Sequence, residues 1–485
     1  MRTTQARSGS KSSSRGHARD GLIGAATRRA LDEIGRFVEE HRMRDKPGSG
    51  GFADFEKQLH ARVMQVEREV LAEELQRADV DEPSVEIDGI VHRRVLRSRQ
   101  QYMTAAGPVE VERTLFRDRS DPYSQAMAVV DVKLGIIDGF WTPLAAQQAA
   151  WVVSQMSPRQ GEELFERVGN MSPSKSSLDR LPKELHERFE MDAERFEQTL
   201  REATVVPQDT ASIAVSLDGV LVPMNDGDAV GTRQRAADAG KIAKGPAGYR
   251  EAGCATVSFC DAQGEMISAI RFGRMPEHKK ERLKTLLTAQ VRHIVDRHPR
   301  LKVIKLADGA EDNWSYLSSD ALPKSPECID FYHAAEHLNA ALGHAYGDGS
   351  VMARRRFAEL RHVLLEEQGG VETVIRALSH LKRKTSSKPI ASELGYFRNN
   401  RGRMRYAELA AQGFPIGSGV VEAACKTLVA QRLKQSGMRW SEQGGQAILN
   451  LRGWAQSDRF DAAWALLAAT YKMQVTTIAT VTRIR

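Results

Sequence analysis

Residues 211–223 read ASIAVSLDGVLVP, an apolar run interrupted by one carboxylate, Asp218. A segment so rich in Ile, Val and Leu predicts a strand. CATVSFCDAQGEMISAIRF (254–272) reads as a hairpin turning at Asp261–Gly264, and a helix from Glu277 to about Arg297 follows. LKVIKLADGA (301–310) is then a strand ending on Asp308, and after a short helix CIDFYH (328–333) reads as one more strand. The resulting order is β, β, β, α, β, α, β. Asp218 and Asp308 each precede a glycine, and a lone Asp-Gly is more often a turn former than a ligand. The functional case therefore rests on their conjunction.

The ribonuclease H-like fold uses this order, with its first and fourth strands adjacent so that two strand-borne carboxylates share a site. Two-metal phosphoryl transfer needs such a pair, because hard divalent cations prefer carboxylate oxygens. A third acid must come from elsewhere. Glu422 is the candidate, in FPIGSGVVEAACKTLVAQRLKQSGMRWS (414–441). Val421, Ala424, Cys425, Leu428 and Val429 form an apolar stripe at helical spacing, with Glu422 and Lys426 off it. Taken alone, Glu422 is better explained by the helix dipole and an i,i+4 pair with Lys426.

DFYHAAEHL (330–338) carries two overlapping patterns. His333, Glu336 and His337 spell H-x-x-E-H, the inverted zinc-peptidase arrangement. It functions only with both histidines on one helical face, and the β-like run before His333 places the helix start at or after that residue. Asp330 and His333 spell D-x-x-H, which points to phosphodiester chemistry instead.

Across the 485 residues, 70 Lys and Arg against 63 Asp and Glu give a formal charge of +7, which suits a polyanionic partner. Four cysteines, none in a C-x-x-C pair, speak against a disulfide framework or zinc ribbon and read as buried thiols. With no membrane-length apolar run and no apolar stretch at the start, a cytoplasmic, nucleoid-associated protein is expected. Residues 1–20 are expected to form a disordered basic tail and 21–84 a helical region broken by KPGSGG (46–51). Residues 85–135 read as a small β module, in which VEVERTLFR (109–117) alternates and RRVLRSRQQY (93–102) is either a phosphate-contacting surface or a charge-protected edge. The start signals Thr142-Pro143, Ser157-Pro158 and Ser172-Pro173 make 136–205 a helix-turn-helix DNA-binding region, with Lys175, Ser176 and Arg180 as major-groove contacts.

The segments around Asp218, Asp308, Asp330 with His333, and Glu422 together resemble DDE transposases of bacterial insertion sequences, closest to the ISKra-type group, with the D-x-x-H of Mutator-like enzymes. The resemblance covers about 206–455. It implies a multidomain α+β protein with a ribonuclease H-like α/β catalytic core at 206–338, an all-helical insertion at 339–413, and the core resumed with the glutamate helix and C-terminal helices at 414–485. It also implies that Asp218, Asp308 and Glu422 ligate two Mg²⁺ or Mn²⁺ ions, with Asp330 and His333 as an accessory pair. The expected partners are DNA, as element ends and target, and a second copy of the chain. Lys426, Arg432, Lys434 and Arg439 would follow the DNA backbone, and Trp440 would either stack on an unpaired base or sit in the core. The rival readings are the zinc hydrolase, a catalytically silent DNA-binding descendant of a transposase, and a ribonuclease H-like nuclease or resolvase that cuts without joining.

Overall fold

A computed structural model describes residues 23–43, 51–225, 229–240, 248–385, 387–417 and 419–478. The basic stretch 1–20 and nearly all of the KPGSGG break lie outside the described residues. The chain divides into two compact units. One comprises Met1–Val152, Pro158–Leu181 and Leu467–Arg485, and the other Val153–Ser157 and Pro182–Leu466.

The first unit pairs two helices, Ala25–Met43 and Phe52–Ala78, and carries a five-stranded sheet. The strands are β1 (Ser84–Ile87), β2 (Ile90–Thr104), β3 (Gly107–Asp118) and β4 (Met127–Ala128), with Val475–Thr477 antiparallel to the outer edge of β1. Along β3, Val109 and Val111 are buried and Glu110 and Glu112 exposed, as alternation predicts. The opposite face is also covered at Thr114, whose hydroxyl donates to Asp79 Oδ2 at 2.9 Å, and at the fully buried Phe116. β2 lies between β1 and β3 rather than at an edge, and its Arg94, Arg97 and Arg99 pair with Asp81, Glu112 and Glu110.

Two expected boundaries fall elsewhere. The stretch 136–205 is not one body, since the division between units passes between Leu181 and Pro182 inside the helix Lys175–Glu190. Residues 467–485 join the first unit, because Val475–Thr477 completes its sheet. The helix expected at Ser172-Pro173 begins instead at Lys175, where the Ser174 Oγ accepts from Ser177 N.

The second unit is built on β5 (Ser212–Pro223), β6 (Tyr249–Cys260), β7 (Met266–Arg274), β8 (Lys302–Ala307) and β9 (Glu327–Ile329), in the spatial order β7-β6-β5-β8-β9. β5 is central, antiparallel to β6 and parallel to β8, and β8 is parallel to β9. The β6–β7 turn is the expected one: Asp261 Oδ1 accepts from Gln263 N and Glu265 N, and Gly264 takes a left-handed φ of 81°. One apolar core joins Ile213, Val215 and Leu217 of β5 to Leu283, Leu287, Val291 and Ile294 of the helix Glu281–Arg297.

CIDFYH is not a strand throughout. β9 stops at Ile329, and the helix Phe331–Tyr346 starts because the Asp330 side chain caps it, accepting from His333 N at 2.7 Å. The expected boundary at 339 therefore falls inside a helix. Further helices, Val351–Glu366, Gly370–Thr385, Lys388–Asn400 and Tyr406–Ala411, contribute Leu360, Leu378, Leu394 and Tyr406 to the same core as the sheet. The chain then returns through Gly419–Ala424, a π-helical stretch Cys425–Ala430 and Gln431–Leu433. Ala424, Cys425, Leu428, Val429 and Leu433 pack there on Val222, Met224, Ala252 and Cys254 of β5, β6 and the residues just after them. All four cysteines are buried and free.

Candidate active site

The sheet topology brings the two aspartates together. β5 and β8 run in parallel with Ser212–Val215 opposite Lys302–Lys305, so Asp218 lies beyond the paired segment and Asp308 just past the end of β8. Both line one cleft of about 1160 Å³. Burial, with Asp308 nearby, raises the Asp218 carboxyl above its usual range, although Gly219 N donates to its Oδ1 at 2.7 Å. Asp308 is held by its own turn: Ala310 N donates to Oδ1 at 3.1 Å, and Asn313 Nδ2 lies 3.4 Å from the same oxygen. Gly309 is required by close approach, because a Cβ there would sit 2.4 Å from the Tyr396 ring.

Glu422 comes toward this region on the returning helix, one turn before Cys425, whose thiol donates to Asp218 Oδ2 at 3.5 Å. Its carboxylate, however, gathers with a different pair. His333 Nδ1 lies 3.4 Å from Asp330 Oδ1 and 3.3 Å from Glu422 Oε1, ion-pair distances without hydrogen-bond alignment. Contact with the fully buried Asp330, reinforced by Glu422 and Glu336 and opposed by partial burial, raises the imidazole to about 9. His333 is thus an imidazolium at neutral pH, clamped between two carboxylates. Among the described residues, the group of three whose ligand atoms lie within 4.8 Å of one another is Asp330, His333 and Glu422. The expected set of Asp218, Asp308 and Glu422 is not assembled in that way. Its acids occupy two neighbouring clusters.

The peptidase pattern changes in two respects. The helix begins before His333, contrary to expectation, so both histidines sit on it four residues apart. His337 is nonetheless committed elsewhere, with Nδ1 2.6 Å from Glu393 Oε2 and its ring stacked on Tyr396 at 3.7 Å. It does not join His333 in the ligand group.

Of the residues assigned to DNA, Lys175, Ser176 and Arg180 are exposed in the first unit, and Lys426, Lys434 and Arg439 are exposed in the second. Arg432 is a correction. It is 1% exposed, donates from Nε to Val153 O, and lies 5.2 Å over the Trp440 ring, which removes it from any surface. Trp440 packs against the core beside β5, and its indole N–H donates to Leu433 O at 3.0 Å. Lys279, Lys280, Lys284 and Asn313, none of them expected there, also line the aspartate cleft. A His-Lys-Lys run between a strand and a helix was the available signal.

No family model and no curated protein matches the chain. Among solved structures, a Drosophila P element transposase strand transfer complex is similar at 13% identity and a TM-score of 0.24, over 68% of this chain and 81% of that one. A pre-cleavage Mos1 transpososome is similar at 12% identity and a TM-score of 0.14, over 56% of this chain and 78% of that one. No helix among the described residues is long and apolar enough to cross a membrane.

Proposed function

We propose that this chain is a DNA transposase whose second unit has a ribonuclease H-like core and carries out metal-dependent strand cleavage and strand transfer. The observation that carries the reading is the sheet: the strand order β7-β6-β5-β8-β9 puts Asp218 on the central strand and Asp308 at the end of its parallel neighbour, both on one cleft. The return of the Glu422 helix after a run of helices, with Cys425 one turn on bonded to Asp218, supports it further. The donor set fits Mg²⁺ or Mn²⁺, since carboxylate oxygens are hard ligands and the cysteines nearby are buried thiols engaged in the core. Asp218 and Asp308, joined by Glu422, would hold two such ions, which supply Lewis-acid stabilisation of the attacking and leaving oxygens when bound.

The chain's own residues have separable tasks. Asp308 is oriented by Ala310 N and Asn313, so its carboxylate is set before substrate arrives. Asp330 fixes the start of the His333 helix and, with Glu422, holds His333 protonated. Work at a three-carboxylate site requires Glu422 to turn from His333 toward Asp218. His333 is therefore the counter-ion that keeps Glu422 at the edge of the site. The proposed substrates are the ends of a mobile element and target DNA, and two ends call for at least a homodimer.

Asp308→Asn tests this directly. On DNA bearing the element's ends with Mg²⁺ or Mn²⁺, the intact protein should cut and join strands, and the variant should lose at least about a hundredfold of that rate, about 2.7 kcal/mol of transition-state stabilisation. Equal rates would remove Asp308 from the site. Binding to those ends without cutting or joining would favour the silent DNA-binding reading.

A further inference from the structure

The turn Pro276–Lys280, between β7 and the helix Glu281–Arg297, lines the same cleft as Asp218 and Asp308. Its backbone is unusual. Lys279 (φ 47°) and Lys280 (φ 56°) are consecutive non-glycine residues in the left-handed region, which L-residues with long side chains avoid. Asn or Gly would hold that conformation more readily, so two lysines in it point to a use of the side chains.

The uses differ. Lys280 is mostly buried, pairs with Glu251 Oε1 at 2.7 Å and donates to Asn313 Oδ1 at 3.3 Å, and Asn313 in turn approaches Asp308. It is a strut behind the aspartate. Lys279 is exposed and Lys284 partly so, one turn into the helix, and neither pairs with a carboxylate among the described residues. Elsewhere on the lining, Arg250 is taken up by Glu442 and Glu277 by Arg274. Two ammonium groups therefore line the same cleft as the carboxylates with no ion-pair partner among the described residues, although Asp312 and Glu281 lie close enough to act on Lys284. Lys284 also lies over the Tyr316 ring at 5.5 Å, and its pKa is lowered by burial and by Lys280.

We infer that Lys279 and Lys284 bind backbone phosphates of the nucleic-acid strand beside the scissile bond, with Lys280 as the positioning residue that holds Asp308. This deepens the proposed function and rests on it. A strand brought to two carboxylates meets repulsion there, and two lysines on the same cleft without ion-pair partners would offset it and fix the strand's register without reading sequence.

The test uses the full-length protein and fluorescein-labelled duplex DNA in EDTA, so that no cutting occurs. Lys279→Asn with Lys284→Gln removes both charges, and Asn tolerates the left-handed backbone, so the variant keeps its fold. The slope of log affinity against log salt should fall in magnitude by about 1.8, two phosphate contacts at ~0.9 each. In the intact protein, DNA should protect Lys279 and Lys284 from acetylation read by mass spectrometry. DNA bound with an unchanged slope and with both lysines still reactive would overturn this inference and leave the transposase reading standing. Absence of DNA binding even at low salt would overturn both.

Discussion

At the scale of single residues, the clearest lesson is Arg432. A basic side chain after the glutamate helix suggests a phosphate contact, yet it follows Leu428 by four and Cys425 by seven, on the buried stripe itself. Periodicity outranked charge and was legible. Arg432→Met should destabilise the second unit by about 2 kcal/mol, because the carbonyl of Val153 loses its buried donor. Thermal unfolding measures this, and an unchanged midpoint would mean that the guanidinium contributes nothing there. Arg439→Ala, on an exposed position, should leave the midpoint alone. Asp330 carries the opposite lesson. Its D-x-x-H spacing suggested a site, while the cap that starts a helix at Phe331 was hidden by the apolar run CIDFY, which fits a strand as well as a buried helix start. Asp218 and Asp308 were legible through strand order. The transfer of Glu422 to His333 was not, because it depends on where three side chains meet from separate elements.

At the scale of elements, the helices Lys175–Glu190 and Glu442–Ala455 meet at a polar contact, where His186 Nδ1 lies 3.3 Å from Asn450 Nδ2. His186 is 8% exposed, and burial lowers its pKa below the ordinary 6.5. In the unfolded chain the ring takes a proton near the ordinary value, and in the folded chain only at lower pH. Its contribution to stability is thus present above about pH 6.5 and is lost as pH falls through the folded pKa. Melting midpoints taken downward from pH 7 should decline, and His186→Gln, which still offers Asn450 an acceptor, should decline less. Parallel curves for the two proteins would exclude His186 as the cause. The β6–β7 turn makes a second prediction. Gly264 has a positive φ, and a Cβ there would lie 2.9 Å from the Phe414 carbonyl carbon, so Gly264→Ala should cost about 1–2 kcal/mol or more in denaturant unfolding. A variant as stable as the parent would show that the turn and the 414 segment can part freely.

At the scale of the whole molecule, the first unit is closed by distant sequence. Val475–Thr477 pairs with β1, and Gln474 N donates to Asp88 Oδ1 across 386 residues. Deleting residues 474–485 should uncover the edge of β1, where Val85 and Ile87 are buried, and speed tryptic cleavage within 84–118 while fragments of the second unit persist. Cleavage no faster than in the intact chain would make the strand dispensable. The arrangement also orders biosynthesis. As the polypeptide leaves the ribosome, the sheet that starts near residue 84 must wait, one edge unpaired, while the entire aspartate-bearing unit is translated. A partially made polypeptide can therefore possess a finished second unit before its first sheet is sealed. That interval, set by elongation speed and by the slow capture of so remote a strand, is when this protein is most exposed to edge-to-edge aggregation.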